Sequence, residues 1–255
     1  MAGGVVLLVG LVVGVACLVP VLGRMDIHRM AAEQGNAVEQ NNLGARYEKG
    51  EGVPKDERKA AEWYGKAAAQ GNATAQANLG AFYANGIGVP KDEAKAADLY
   101  AKSAAQGDSL GQFLLATCYA NGQGVAKDEL KAFAWYAKSA AQGRVSAQFM
   151  LGSCYALGSG VPQNKQTAAA WYAKAAGQGY PPGEALLGIC YAHGSGIEKD
   201  PIKAKMWLEK AAKQGNATAI RALKRMRAEE AAEKEELDEE PEAQPKNAAA
   251  PASVR

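Results

Sequence analysis

The side chains best able to do chemistry in this chain are few, because it has only two histidines and four cysteines. Cys190 and His193 are three positions apart, a spacing that places them on one face of a helix, as a nucleophile with its base or half of a metal site requires. No second ligand pair and no orienting third group accompany them, and the other histidine, His28, is distant in sequence. We therefore predict no catalytic residue, no metal site and no cofactor.

Three of the cysteines share one position in a longer pattern. Cys118, Cys154 and Cys190 are 36 residues apart, and each directly precedes a tyrosine. Equivalent positions in neighbouring helix pairs are about 8–10 Å apart or more, which exceeds the reach of a disulfide. These residues are predicted to be small buried thiols.

The cysteine spacing is one sign of an internal repeat that governs the whole chain. Glycines, leucines, tyrosines and lysines recur with the same 36-residue step and without an insertion. The series are Gly35, Gly71, Gly107, Gly143, Gly179 and Gly215; Leu43, Leu79, Leu115, Leu151 and Leu187; Tyr47, Tyr83, Tyr119, Tyr155 and Tyr191; and Lys66, Lys102, Lys138, Lys174 and Lys210. A fixed period of this length is the signature of a stacked repeat architecture.

Each repeat is predicted to contain two helices. In the second repeat, Ala75, Leu79 and Tyr83 are four residues apart and share one helical face. The glycines and the proline of segment 86–90 end that helix, and Asp92 is the predicted N-cap of the next one. The second helix carries an apolar stripe with helical spacing, made of Ala96, Leu99, Tyr100, Ser103 and Ala104. Alternating strand patterns are not found, and the glycine-rich turns follow helices, so we interpret them as connectors rather than phosphate-binding loops.

A helix pair of this size cannot bury its apolar face alone, so neighbouring pairs must stack. Small residues recur where helices would cross, at Gly44, Gly80, Ala116, Gly152 and Gly188. The predicted fold is all-α, a right-handed superhelical solenoid of about five 36-residue helix-turn-helix repeats. Its concave surface is predicted to be lined mainly by the first helix of each repeat.

The repeat unit resembles the Sel-1-like repeat family, which is related to tetratricopeptide repeats. The carrying motifs are Ala-Gln-x-x-Leu-Gly-x-x-Tyr-x-x-Gly-x-Gly-Val-Pro-Lys-Asp, seen at residues 75–92, and Lys-Ala-x-x-Trp-Tyr-x-Lys-Ala-Ala-x-Gln-Gly, seen at residues 59–71. The resemblance covers residues 36–215, and its departures include Leu208 in place of a tyrosine. It implies a non-enzymatic scaffold that binds protein or peptide partners and assembles complexes, often at a membrane or in a bacterial envelope.

The same resemblance raises an alternative function. One branch of the family carries paired cysteines eight residues apart in each repeat, and these form disulfides. That branch is associated with activity on β-lactams or cell-wall-like small molecules. The present chain has no such pairs. We therefore predict that it is not an enzyme and keep activity of that branch as the alternative.

The chain is divided into three regions: residues 1–24, 25–227 and 228–255. The first contains no charged residue before Arg24, and its aliphatic run is long enough to cross a bilayer, so it is interpreted as a signal peptide or an N-terminal membrane anchor. Arg24 and Arg29 follow the run, which by the positive-inside rule would leave the repeats on the cytoplasmic face. The family resemblance instead implies export, and we favour the periplasm or cell envelope.

Charge separates the repeat body from the C-terminal region. Residues 228–255 hold nine acidic and three basic side chains, a net charge of −6, whereas residues 1–227 hold 18 acidic and 26 basic ones, a net of +8. Residues 229–240 are predicted to extend the last helix, and the Pro/Ala-rich residues 241–255 to be disordered. Basic residues of the body are interspersed with acidic ones and lack interleaved aromatics, so nucleic-acid binding is not expected.

One column of residues suggests where a partner would bind. Helical-wheel geometry places positions 41, 77, 113, 149 and 185 opposite the Leu–Tyr stripe, and the third and fourth repeats are apolar there and at the next position. We predict that Phe113, Leu114, Phe149 and Met150 line a hydrophobic peptide-binding groove. The alternative is that they pack against adjacent repeats.

Overall fold

The computed structural model describes residues 27–239, and every regular element in that range is a helix. The predicted signal or anchor segment at 1–24 and the predicted disordered end at 241–255 lie outside the described residues. After a short helical stretch at 27–33 (α1), eleven helices follow. They are α2 (Ala37–Lys49), α3 (Glu57–Ala69), α4 (Ala73–Asn85), α5 (Glu93–Ala105), α6 (Ser109–Asn121), α7 (Glu129–Ala141), α8 (Val145–Leu157), α9 (Lys165–Gly177), α10 (Pro181–His193), α11 (Pro201–Lys213) and α12 (Ala217–Glu239).

The helices stack as a solenoid of five pairs, which confirms the predicted fold class. We call α2, α4, α6, α8 and α10 the A helices, and α3, α5, α7, α9 and α11 the B helices. Each B helix packs on its own A helix and on the next one along the chain. Helices α4 and α6 also pack on each other directly, as do α10 and α12, whereas consecutive B helices do not approach to the same degree within the described range. Because the repeats are equivalent, we assign all of the A helices to the inner layer.

Side-chain caps and glycines determine where the helices begin and end. Asp92, the predicted N-cap of α5, accepts a hydrogen bond of 2.9 Å from the backbone N–H of Lys95. The same position caps every B helix, through Asp56, Asp92, Asp128, Asn164 and Asp200. Each A helix ends at a glycine in the left-handed region, as Gly122 does with φ +72°.

The turn between the A and B helices also fastens each repeat to the previous one. Gly124 has φ +68°, and a Cβ built on it would overlap the backbone carbonyl of Glu93 at the start of α5. Gly88, Gly160 and Gly196 lie against the preceding B helix in the same way. The second glycine of the turn is thus required both for its φ and for close backbone contact.

Small residues allow the two helices of a pair to approach closely, as predicted. A Cβ on Gly80 would meet the ring of Tyr100 at 2.6 Å, and Gly44 and Gly152 stand in the same relation to Tyr64 and Tyr172. In the third repeat, Ala116 and Tyr136 belong to one buried cluster. The tyrosine of the B helix therefore packs flat over the small residue of the A helix.

A polar ladder joins successive pairs through their interior. Four buried glutamines occupy the same position of their A helices, and each donates from Nε2 to a backbone carbonyl eight residues earlier. Each also accepts at Oε1 from the glutamine that caps a B helix, as Gln112 does from Gln142 at 2.8 Å. The four are Gln40, Gln76, Gln112 and Gln148. This arrangement satisfies polar groups that would otherwise be costly to bury.

The fifth repeat has Glu184 at the ladder position, and this side chain is 0% exposed. Its Oε2 accepts a 2.8 Å hydrogen bond from Gln214. Lys210 Nζ lies 2.8 Å from Oε1 but without the geometry of a hydrogen bond, so that contact is mainly electrostatic. A carboxylate cannot reproduce the donation that a glutamine makes to the carbonyl eight residues back.

We expect Glu184→Gln to raise the free energy of unfolding by about 1 kcal/mol, because a buried carboxylate that faces a half-exposed lysine is replaced by a satisfied amide. Urea denaturation followed by circular dichroism measures the change. The reverse substitution in the fourth repeat, Gln148→Glu, is the matched control and is expected to lower stability. A stability loss in Glu184→Gln would show that the ion pair with Lys210 outweighs the missing amide donor.

Helix α12 closes the repeat array. It carries Lys224 where the A helices have a glycine or alanine, and Ile220 where they have the ladder residue. A further B helix could not pack flat on Lys224, so α12 is a cap. The helix continues to Glu239, so the described part of the acidic region is helical. Within residues 27–239, no helix has the length and apolar character needed to cross a membrane.

Candidate partner-binding surface

The A helices expose one stripe of side chains along the inner layer, which we call the inner stripe. Its members are not fully buried in any of the five repeats. They are Val38, Asn42, Ala45 and Lys49; Thr74, Asn78, Ala81 and Asn85; Leu110, Leu114, Thr117 and Asn121; Ser146, Met150, Ser153 and Leu157; and Pro182, Leu186, Ile189 and His193. One member of the stripe contacts the preceding A helix, since Asn78 Nδ2 donates to Asn41 Oδ1 at 3.0 Å. It is largely polar in α2 and α4 and more apolar from α6 onward.

The four residues predicted to bind a partner are all half-buried, and Phe113 and Met150 pack against the same buried cluster. The Phe113 ring lies 5.8 Å from the Tyr136 ring and packs on the core of the third and fourth repeats. The Phe149 ring lies 5.9 Å from Tyr172 and 5.6 Å from Tyr180. These packing contacts are those of the alternative hypothesis. Leu114 and Met150 belong to the inner stripe, and partner binding by any of the four stays a prediction.

Two crevices open along the inner layer. The first, which we call the middle crevice, has a volume of about 230 Å³ between α6, α7 and α8. Its lining comprises Ala120, Lys127, Glu129, Ala132, Tyr136, Met150, Ser153, Cys154, Leu157 and Ser159. The second, the C-terminal crevice, has a volume of about 380 Å³ between α10, α11 and α12. Its lining comprises Ile189, Ala192, His193, Lys199, Pro201, Leu208, Ala222, Arg225, Met226, Glu229 and Glu230.

The sequence did not predict these crevices, although one substitution in the repeat pattern indicates the C-terminal crevice. Leu208 stands where the other B helices have a tyrosine, and the smaller side chain leaves room beside α12. The mouth of the C-terminal crevice carries both basic and acidic side chains, among them Lys199, Arg225, Glu229 and Glu230. A hydrogen bond from Arg225, at 2.7 Å, lowers the pKa of Glu229, and the charges of His193 and Lys199 act in the same direction.

The three described cysteines are free and buried. Burial, with a smaller contribution from the charges of Glu93 and Glu129, raises the pKa of Cys118 and Cys154 to about 11. The thiols are therefore protonated and poorly nucleophilic at neutral pH. Cys190 packs in an apolar cluster, whereas His193 lines the C-terminal crevice. Among the described residues, no three His, Cys, Asp or Glu side chains are grouped so that they could hold a metal ion.

We expect these thiols to react with iodoacetamide at pH 8 at least about 100-fold more slowly in the native protein than in denaturant. The experiment uses a Cys17→Ser variant, because Cys17 lies outside the described residues. The raised pKa of Cys118 and Cys154 also stabilises the folded state below pH 9. This contribution to the free energy of unfolding is lost as pH rises from about 9 towards 11. Rapid labelling of the native protein would mean that the thiols are accessible.

Comparison with known proteins identifies the same five repeats as the structure. The sequence model of the Sel1 repeat family matches five segments of the chain, at residues 40–72, 73–108, 109–143, 145–180 and 181–216. Comparison with curated protein sequences gives no match.

Solved structures resemble the chain over about three quarters of its length. A protective antigen of uropathogenic Escherichia coli with an SLR fold is 40% identical with a TM-score of 0.71, covering 76% of this chain and 42% of its own. A Sel1 repeat protein from Oxalobacter formigenes is 36% identical with a TM-score of 0.68, covering 74% and 78%. A putative Sel1 repeat protein from Klebsiella pneumoniae is 27% identical with a TM-score of 0.53, covering 78% and 96%. The chain thus spans less than half of the Escherichia coli protein.

Proposed function

The chain belongs to the Sel1 repeat family, and we propose that it is a non-enzymatic scaffold that holds a protein or peptide partner against its inner stripe. Sel1 repeat proteins are generally protein-interaction scaffolds. The observation that carries the proposal is the apolar part of the stripe. Leu114, Met150 and Leu186 occupy one position in three consecutive A helices and remain partly exposed. Aligned apolar groups of this kind, interrupted by crevices, suit the side chains of a bound chain.

The enzyme alternative receives no specific support. Activity of the cysteine-rich branch goes with disulfide pairs within each repeat. In this chain the three described thiols are free, buried and one repeat apart. We therefore do not carry that alternative further.

We also propose that the repeats act in the periplasm or cell envelope. The apolar segment 1–24 supports a signal peptide or a membrane anchor. The 40% identical Escherichia coli protein is a protective antigen, which is consistent with placement outside the cytoplasm. Protease treatment of spheroplasts carrying a tag after Arg255 tests this. Digestion before lysis supports export, and protection until lysis places the repeats on the cytoplasmic face.

Two exposed leucines provide a matched test of the binding surface. Leu157 lies on the inner stripe and is 76% exposed, whereas Leu130 lies near the start of α7, on a B helix, and is 72% exposed. A photo-crosslinking amino acid is placed at each position in living cells. We expect a discrete protein adduct from position 157 and none from position 130. An adduct from position 130 alone would contradict the proposal and would indicate that the partner binds the B helices.

A further inference from the structure

The two crevices are the same site of the repeat, two repeats apart. Residues that line the middle crevice reappear 72 positions later in the C-terminal crevice. The clearest correspondences are Lys127 with Lys199, Tyr136 with Leu208, and Met150 with Ala222. Each crevice is therefore formed by the end of one A helix, its B helix and the next helix of the inner layer.

Substitutions in the last repeat enlarge the site. Leu208 and Ala222 are smaller than Tyr136 and Met150, and the volume rises from about 230 to about 380 Å³. The floor remains apolar, because Leu208 and Ala222 belong to a cluster with Ile189. Both spaces suit one large aliphatic or aromatic side chain better than a polar one.

The charge at the C-terminal crevice also departs from the repeat pattern. In the first three repeats the lysine of the turn forms an ion pair with the glutamate two positions later, as Lys127 does with Glu129 at 3.0 Å. In the fifth repeat that glutamate is replaced by Pro201, so Lys199 lacks the partner that its counterparts have. Of the acids at the mouth, Glu229 is paired with Arg225, and Glu230 also faces the lysines of α11. The charge of Lys199 already acts on Glu229, but within residues 27–232 no carboxylate lies as close to it as those that pair with Lys55, Lys91 and Lys127. Lys199 is thus placed to meet a carboxylate on the occupant.

The spacing of the crevices sets the length of that occupant. Packed helices lie about 8–10 Å apart, and α4 packs directly on α6, as α10 does on α12. One such spacing for each repeat places sites two repeats apart at about 20 Å. An extended chain advances about 3.3–3.6 Å per residue, so about six residues bridge this distance. We propose that the partner is an extended peptide segment with two large apolar side chains about six residues apart. One occupies the middle crevice, and the other occupies the C-terminal crevice with an acidic residue beside it.

This inference rests on the proposed scaffold function and is tested by selection from a display library of random peptides about 12 residues long. Enriched peptides are expected to share two large apolar residues about five to seven positions apart, with an acid next to one of them. Binding of a selected synthetic peptide to the purified protein is then measured by fluorescence anisotropy. Ala222→Met fills the C-terminal crevice with the residue native to the middle one, and is expected to weaken binding at least about tenfold.

The matched control is Ala170→Met, which makes the same change at an exposed position of α9 and should leave the affinity unchanged. Lys199→Glu is expected to weaken binding more at low salt than at high salt. Thermal melts establish that each variant is folded. Failure to enrich peptides with this spacing, or unchanged affinity in Ala222→Met, would overturn the inference. The scaffold function would still stand if position 157 forms its adduct, and it would fail separately if that adduct is missing.

Discussion

Replacing Gly124 with alanine is expected to lower the free energy of unfolding by at least about 3 kcal/mol. The residue has φ +68°, which costs an alanine about 1 kcal/mol or more. The added methyl would also overlap the carbonyl of Glu93, which belongs to the backbone and cannot rotate away. The turn must therefore move off α5, and contacts between the second and third repeats are lost. Urea denaturation monitored by circular dichroism measures the effect.

Gly122 in the same turn provides the control. It has φ +72°, but a Cβ there would lie 3.5 Å from the Lys127 Cβ, an ordinary contact. Gly122→Ala is therefore expected to cost only the strain of the left-handed conformation, about 1 kcal/mol. Equal losses in the two variants would contradict the role given to the contact between repeats.

The substitution Tyr136→Ala is expected to lower the free energy of unfolding by about 4 kcal/mol. The residue is 1% exposed and is among the largest fully buried side chains. It packs with Ala116, Ala132 and Cys154, and its ring lies 5.8 Å from that of Phe113. Tyr136→Ala leaves a cavity at the junction of α6, α7 and α8, where close packing cannot be restored by small movements. Thermal and urea unfolding of purified protein report the loss.

Tyr136→Phe separates the ring from its hydroxyl. The hydroxyl lies 3.2 Å from Thr117 Oγ1, on a partly buried edge of the core. We expect Tyr136→Phe to lower the free energy of unfolding by no more than about 1 kcal/mol. If Tyr136→Phe proved as damaging as Tyr136→Ala, the hydrogen bond rather than ring packing would hold the third repeat together.

The repeat architecture could be predicted because its determinants are local. The 36-residue period, the N-cap at Asp92 and the glycines that end each helix all depend on residues close in sequence. The contact of Gly124 with Glu93 joins residues from two repeats, and sequence spacing carries no information on it. The glutamine ladder was also missed, because glutamine usually lies on the surface and only the stacking of repeats buries it.

The surroundings of the candidate surface could not be predicted from the sequence, for a related reason. A helical wheel shows which residues share a face but does not show which neighbour covers that face. Phe113 and Phe149 lie opposite the Leu–Tyr stripe, yet each A helix from α4 onward contacts two B helices, and both rings pack against B-helix tyrosines. The crevices depend on the combined sizes of residues from three helices. The sequence shows that Leu208 replaces the tyrosine of the repeat motif. It does not show that this replacement leaves space beside α12.

Hydrogen exchange tests most directly whether the inner stripe binds the partner. The full chain is compared with and without the purified protein identified by crosslinking from position 157. We expect the partner to slow amide exchange in α6, α8 and α10 more than in α7 and α9. Protection confined to the B helices, with the A helices unchanged, would contradict it.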